Sequence, residues 1–252
     1  MINKPSAIET TRLQDTGKCS DQANTSQIQC STCNLRAGCL PAELEGQALA
    51  NFERHVRHLH RPVKAGEVLV HQGSSVQSLF ALRVGALKAV ISSANGDENV
   101  VGFRFPGSVI GLIESEQPHW RRSYIAVVDS WVCHIPASAI QAENGVRRQL
   151  IRLMGARLRE KHNVHLQLAS NKGDRKLLSF LIQMSDNHRA RGLSASRFYL
   201  PMTYIDLASY LGMRHESVSR TLAQLQEAGL IEKKGKLIQI PDLAAIRRLA
   251  EE

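Results

Sequence analysis

The stretch TYIDLASYLGMRHESVSRTLAQLQEAGLI, residues 203–231, restricts the fold more than any other part of the chain. Thr203 is a good N-cap for a helix ending near Tyr210. Leu211-Gly212-Met213 reads as a tight turn. A second helix is predicted from about His215 to Glu227, and Gly229 stops it. Leu207, Leu211, Val218, Leu222 and Leu225 are spaced to pack the two helices together. That leaves Glu216, Ser219 and Arg220 on one exposed face, at steps of three and four. RFYL reads as a strand before the pair, and IEKKGKLIQI as a hairpin after it, turning near Lys234-Gly235.

Helix, glycine turn, helix and basic wing are the parts of a winged helix–turn–helix, whose second helix enters the major groove. An arginine matches the N7 and O6 edge of guanine, a glutamate accepts from the cytosine amine, and a serine adapts to either. Lys233, Lys234 and Lys236 are placed to hold phosphates. Double-stranded DNA is the expected partner. The charge agrees: the net is +9, with 13 Lys/Arg against 12 Asp/Glu in residues 1–142, 6 against 2 in 143–171 and 13 against 9 in 172–252. The excess sits in the C-terminal part, where a polyanion would be met.

Upstream the texture changes twice. Residues 143–171 carry Val146, Leu150, Leu153, Met154, Leu158, His165, Leu166 and Leu168 at steps close to a heptad, with arginines on the other faces. Such a helix between two domains suits pairing with a second copy. Leu150, Met154, Leu158, Lys161 and His165 are the candidate interface residues. From about 61 to 135, short apolar runs broken by glycines predict many short strands, as in a β-sandwich or β-roll. Asn95-Gly96-Asp97 marks a hairpin. Residues 45–60 predict a short helix through Leu49, Phe52, Val56 and Leu59. No apolar run reaches membrane-spanning length, so no membrane partner is expected. The polar N-terminus offers no signal peptide, and a cytoplasmic location is the default expectation.

In a reducing compartment, clustered cysteines bind metal or do redox chemistry more often than they form disulfides. Three of the five cysteines lie in CSTCNLRAGC, as C-x2-C-x5-C: Cys30, Cys33 and Cys39. A fourth thiolate would complete either an iron–sulfur cube or a tetrahedral zinc site, and Cys19 and Cys133 are the candidates. A zinc ribbon usually shows two C-x2-C knuckles, and this chain has one.

YLGMRHESVSRTL, with its E-x-x-S-R pattern, and C-x2-C-x5-C ahead of a strand-rich region together resemble the FNR branch of the CRP/FNR superfamily of bacterial transcription regulators, over about residues 30–250. The resemblance implies an α+β chain with an N-terminal β-roll (jelly-roll, cyclic-nucleotide-binding-like) sensor domain, a long dimerisation helix and a C-terminal winged helix–turn–helix. The implied divisions are 1–45 for the cysteine segment, 46–142 for the β-roll, 143–171 for the helix and 172–252 for the DNA-binding domain. It implies no enzymatic activity. It implies an oxygen-responsive homodimer that activates anaerobic genes and reads a TTGAT…ATCAA palindrome through Glu216, Ser219 and Arg220. It also implies a [4Fe–4S] cluster on Cys30, Cys33, Cys39 and Cys133, the last matching the distant ligand before an Ile-Pro pair, with Cys19 a spare thiol. Arg36 and His134 are candidate cations beside that cluster. Gly96, Asp97 and Glu98 match a loop that touches RNA polymerase, whose sigma and alpha subunits are the implied partners.

Three positions depart from the pattern. Arg214 replaces a capping Thr at the recognition helix, which costs a cap or gains a phosphate contact. Lys161 stands where an acid can weaken aerobic dimers. In GSVIGLIES, Leu112 occupies the position of the ribose-holding Glu of the CRP branch, while Arg122-Ser123 persists. A CRP-like regulator that responds to a cyclic nucleotide, haem or zinc, or that binds DNA constitutively, is the alternative.

Overall fold

Two long strands organise the N-terminal half of the chain. The computed structural model describes residues 29–58, 62–93, 95–112, 117–168 and 173–251, with 58, 160–168 and 251 described by backbone alone. The described chain begins with two single 3-10 turns, Cys30–Thr32 and Arg36–Gly38, and helix α1 (Gly46–His55). Strands β1 (Arg57–His58), β2 (Val68–Val70), β3 (Ser78–Ser92), β4 (Glu98–Arg104), β5 (Val109–Ile110) and β6 (Ser123–Pro136) follow. Helices α2 (Ala137–Ala142), α3 (Asn144–Leu168) and α4 (Gly173–Ala190) lead to β7 (Arg197–Tyr199). Then come α5 (Tyr204–Leu211), α6 (His215–Glu227), the hairpin β8 (Glu232–Lys234) and β9 (Leu237–Gln239), and α7 (Leu243–Glu251).

Among the described residues the larger sheet runs β1–β6–β3–β4, with β2 also on β6 and β5 also on β3. The smaller one runs β7–β9–β8. Of the glycines that suggested many short strands, Gly85 and Gly102 mark bulges inside long ones, while Gly66, Gly73, Gly96, Gly107 and Gly111 lie in turns and bends between strands. The β3–β6 register slips between Leu82 and Val84 and again around Ala86. Gly85 sits in that slip with φ +95°, and a Cβ there would fall 2.6 Å from the Asp129 carbonyl oxygen. A left-handed backbone and a close strand approach both require glycine. The buried Ser130 hydroxyl fills the gap, accepting from the Ala86 amide at 3.1 Å and donating to the Val128 carbonyl at 2.6 Å. The Asn95-Gly96 turn joins β3 to β4 as expected, with Ser92 paired to Glu98.

Helix α1 ends earlier than its apolar spacing suggests. Leu49 and Phe52 are buried, but Val56 is already extended. Its successors form β1, which sets Arg57 opposite His134 and His58 opposite Cys133. Strand pairing there outweighs the helical pattern, and Leu59 lies outside the described residues.

The C-terminal domain docks on the sheet through one continuous apolar cluster. Val90, Val100 and Phe103 from β3 and β4 pack with Leu177 and Phe180 of α4 and Leu207 and Leu211 of α5. Phe103, Phe180 and Tyr210 form a trio of edge-on rings, with centroids 5.4 to 6.1 Å apart. Two polar contacts fix the register of this docking. The Val100 amide donates to Ser209 Oγ at 2.9 Å, and Lys88 Nζ meets Asp206 Oδ1 at 2.6 Å. Asp206 also closes the N-cap of α5: Thr203 Oγ1 accepts from the Asp206 amide, and the Thr203 amide donates back to Asp206 Oδ2. This reciprocal pair satisfies two donors at the helix start.

Burial alone would raise the Asp206 pKa, but the hydrogen bonds from Lys88 and Thr203 outweigh it and hold the carboxyl below its ordinary value. A lowered native pKa gives a contribution complete above the unfolded value of about 3.9 and lost as pH falls through the native one. Asp206→Ala is expected to cost about 3 kcal/mol at neutral pH, since it removes a cap and strands a largely buried ammonium. Lys88→Met, which takes that charge away with it, is expected to cost less. Urea unfolding of both variants checks this, and the deficit of Asp206→Ala should shrink in acid.

Candidate functional site

The loop from Cys30 to Leu44 is built around two anchors. Leu40 and Leu44 are 0% and 4% exposed and pack with Phe52, Val146 and Leu150. Between them the chain is stiffened from within: Arg36 Nε donates to the Pro41 carbonyl at 3.2 Å, and Arg36 Nη2 to that of Leu44. Helix α1 supplies an outer tie, as Glu53 Oε1 accepts from the Ser31 amide at 2.8 Å. Cys133 approaches from the opposite side, on β6, held between β1 and Ala81 of β3.

These restraints bring Cys30, Cys33, Cys39 and Cys133 to one pocket, whose remaining wall is mainly apolar, with Phe52, Ala81 and Ile135. All four are free thiols; Cys133 is buried and the others half-buried. Burial, reinforced by the neighbouring thiols, pushes Cys30 and Cys39 up to about 12. Burial pushes Cys133 up to about 11, with Arg83 pulling the other way. Such thiols ionise when a cationic group is there to take the thiolates, so the donor set fits a metal centre. Among the described residues, no three His, Cys, Asp or Glu side chains are grouped so as to hold a single metal ion. Four cysteine thiolates are the donor set of a tetrahedral zinc site and of a [4Fe–4S] cluster alike.

The two candidate cations fare differently from each other. Arg36 lines the pocket and its charge pulls the Cys30 pKa down, while its guanidinium also holds the loop carbonyls. His134 has its pKa lowered, first by burial and then by Arg57, and its Nδ1 has no hydrogen-bond partner among the described residues. It is a neutral ring stacked edge-on to Phe80, at 5.4 Å. Arg83, which the sequence reading passed over, is the cation that lowers Cys133. Alternation along β3 was the available signal, since it puts Arg83 on a wall with Ala81. Cys19 lies outside the described residues.

The loop is wired directly to α3. Leu44 lies against Gly145, where an added Cβ would meet its Cδ2 at 2.7 Å, and Glu43 pairs with Arg152. Along α3, Val146 and Leu150 face this core, so Leu150 is withdrawn from the candidate seam into its own chain. Met154 and Leu158 are 38% and 72% exposed, and Ile151, absent from the expected set, joins them at 70%. The side chains of Lys161 and His165 lie outside the described residues.

At the other end, α5 closes with Gly212 in the left-handed conformation, and α6 begins at His215. Val218, Leu222 and Leu225 are buried, while Arg214, Glu216, Ser219 and Arg220 are exposed. Arg214 stands at the N-cap and makes no side-chain cap. In the wing, Lys234 is exposed, Lys233 lies 5.8 Å over the Tyr204 ring, and Lys236 donates to the Pro201 carbonyl at 2.6 Å. Lys234 and Lys236 are both exposed, and Lys233 is half-buried. Gly96, Asp97 and Glu98 are exposed at the β3–β4 tip. Leu112 is 6% exposed, inside the core, and offers no carboxylate to a ribose.

Two domain families match: the Crp-like helix-turn-helix domain over residues 175–249 and the cyclic nucleotide-binding domain over 60–143. The transcriptional activator protein FnrA of Stutzerimonas stutzeri is 34% identical over 228 residues, covering 89% of this chain and 93% of its own. The anaerobic regulatory protein of Pasteurella multocida is 30% identical, covering 91% and 85%. The structure of FixK2 from Bradyrhizobium japonicum superposes with a TM-score of 0.69 at 23% identity, over 77% of this chain and 96% of that one, which supports the fold. A β-roll, a long helix and a winged helix–turn–helix define a DNA-binding transcription regulator rather than an enzyme. The chain belongs to the CRP/FNR family and is an activator of the FNR/Anr type.

Gly145→Ala would favour a helix by about 1 kcal/mol on propensity. Gly145→Val, which forces a branched side chain against Leu44, is expected to cost about 2 kcal/mol instead. Urea unfolding measures the loss, and faster amide exchange across residues 40–44 locates it.

Proposed function

We propose that this regulator responds to oxygen: it holds a [4Fe–4S] cluster on Cys30, Cys33, Cys39 and Cys133, and as a homodimer activates anaerobic genes from a TTGAT…ATCAA-type palindrome. The observation that carries the reading is the pocket shared by four thiols, with its loop rooted in the core that holds the start of α3. The name of the Pasteurella multocida relative, an anaerobic regulatory protein, supports the same direction. A reducing cytoplasm would keep these thiols free to bind iron.

When bound, the cluster supplies iron–thiolate bonds that tie the loop to β6 and that oxygen can break. This chain's own residues do the rest. Leu40 and Leu44 transmit the position of the loop to Gly145 and Val146. That sets the first turns of α3, whose exposed Ile151, Met154 and Leu158 lie three and four residues apart and suit burial against a second copy. Pairing there sets two α6 helices about one DNA turn apart, as a palindrome demands. Arg220, Glu216 and Ser219 read base edges, Arg214 and Lys234 hold phosphates, and the Gly96–Glu98 tip meets the sigma and alpha subunits of RNA polymerase. A few kcal/mol from the loop suffices to shift such a pairing equilibrium.

Oxygen-free purification tests the cofactor. The expected product is brown and carries close to four irons and four sulfides per chain. Cys133→Ala should lose both, while Cys19→Ala should keep them. Colourless protein holding stoichiometric zinc would sink the reading. Separately, Arg220→Ala is expected to lose about 1–3 kcal/mol of discrimination at one base pair of each half-site. Gel-shift titrations on matched and singly altered palindromes check this, and unchanged selectivity would remove α6 from its role.

A further inference from the structure

Four thiolates around a metal group create an excess of negative charge. A core of about +2 with four thiolates carries a net charge of about −2, for zinc and for a [4Fe–4S] cluster alike. The pocket wall is mainly apolar, and an anion left uncompensated in such a place is costly. The thiols meet this from different elements. Arg36, inside the loop, draws Cys30 down against its burial, and a hydrogen bond from the Leu40 amide does the same for Cys39. Both of those partners belong to the loop itself. Cys133 stands apart on β6, and the cation that favours its thiolate is Arg83 of β3. The backbone explains how an arginine comes to that place. Ala81 pairs with Cys133 and Leu82 with Val132, but the register slips before Val84 pairs with Trp131. Arg83 is therefore the extra residue of a bulge, with no residue of β6 opposite it, two positions beyond the partner of Cys133. Bulges re-aim side chains, and half-buried Arg83 lines the pocket together with all four cysteines. His134, the basic side chain next to Cys133 in sequence, is a neutral ring set against Phe80 instead.

We propose that Arg83 compensates the charge at the Cys133 end of the metal group and so keeps that thiolate on its metal. Arg83 has this role only if the four cysteines hold a metal group, as proposed above, and it has it for zinc as for a cluster. It is a positioning residue, acting through the thiolate. Of the four sulfur–metal bonds, that of Cys133 is the one that joins the loop to the sheet. The bulge on β3 thereby sets how readily the loop is released from β6.

The full-length chain, purified without oxygen and carrying its metal group, is compared with Arg83→Gln, which removes the charge, and Arg83→Lys, which keeps it. Iodoacetamide trapping followed by peptide mass spectrometry reads which cysteine leaves the metal first. In Arg83→Gln, Cys133 is expected to be labelled about tenfold faster than in the wild type, ahead of Cys30 and Cys39. Arg83→Lys should stay close to the wild type. The reduction potential of the iron-loaded chain should fall in Arg83→Gln, because a nearby cation favours the added electron, and should recover in Arg83→Lys. A merely structural role would not move the potential with the charge. Melting curves of the three metal-free chains separate lost charge from lost folding. Equal labelling of Cys133 in the wild type and Arg83→Gln would overturn the proposal. An unchanged potential, or a lysine that restores neither reading, would overturn it too. Zinc in the wild-type chain would remove the oxygen reading alone, since the labelling comparison then runs on the zinc form. A wild-type chain that holds no metal group would end both.

Discussion

Everything in the N-terminal half turns on where Leu40 and Leu44 are buried. They fill the same apolar core as Val146 and Leu150, so the cysteine loop and the start of α3 share their packing. Burying a leucine side chain is worth about 1.5–3 kcal/mol. Two such residues hold a loop that has little regular structure of its own, only two 3-10 turns. They also make that loop expensive to move without moving the helix, because close-packed interiors do not deform smoothly. Glu43, reaching from the loop to Arg152, adds a charged contact on the outer rim of the same junction.

A second junction governs the C-terminal half. The sheet and the DNA-reading domain share a core through Phe103, Phe180 and Tyr210, and Lys88 reaches across to the capping carboxylate of α5. One aspartate thereby serves both the start of a helix and the seating of its domain. The two junctions lie at opposite ends of the β-region, and α3 runs between them with an exposed stripe of Ile151, Met154 and Leu158. An element seated at its start in the core of the cysteine loop, with an exposed apolar face beyond, is suited to having its pairing set by events at that loop.

The parts of this architecture that rest on local periodicity were legible in the chain. Leu207, Leu211, Val218, Leu222 and Leu225 announced both helices of the reading head, and Gly212 and Gly229 their ends, because spacing and left-handed turns are local facts. The gathering of the cysteines was legible only in part. Three are neighbours in sequence, but the position of Cys133 opposite His58 depends on strand register, which no short stretch encodes. Resemblance, not spacing, singled it out. What could not be read were contacts made over long separations. Leu150 looked like a seam residue by its heptad position, yet the loop at 40–44 covers it. The chain gave no sign either that Lys233 lies over Tyr204 or that Lys236 bonds Pro201. His134 looked like a cation, yet burial favours its neutral form. Likewise, Gly85 suggested the end of a strand, while Ser130 and the partner backbone made it the bend in a long one.

Helix α6 starts at a residue that cannot cap it. Arg214 has no side-chain acceptor to offer, so the first amides of the helix gain no cap from it, although the Ser217 amide donates to the Arg214 carbonyl at 3.0 Å. Those donors, at the positive end of the helix dipole and beside a guanidinium, form a cradle for an oxyanion. On the proposed reading, a phosphate of the sugar–phosphate backbone would complete the leading turn of the reading head, and the ordering of that turn would be coupled to arrival at the duplex.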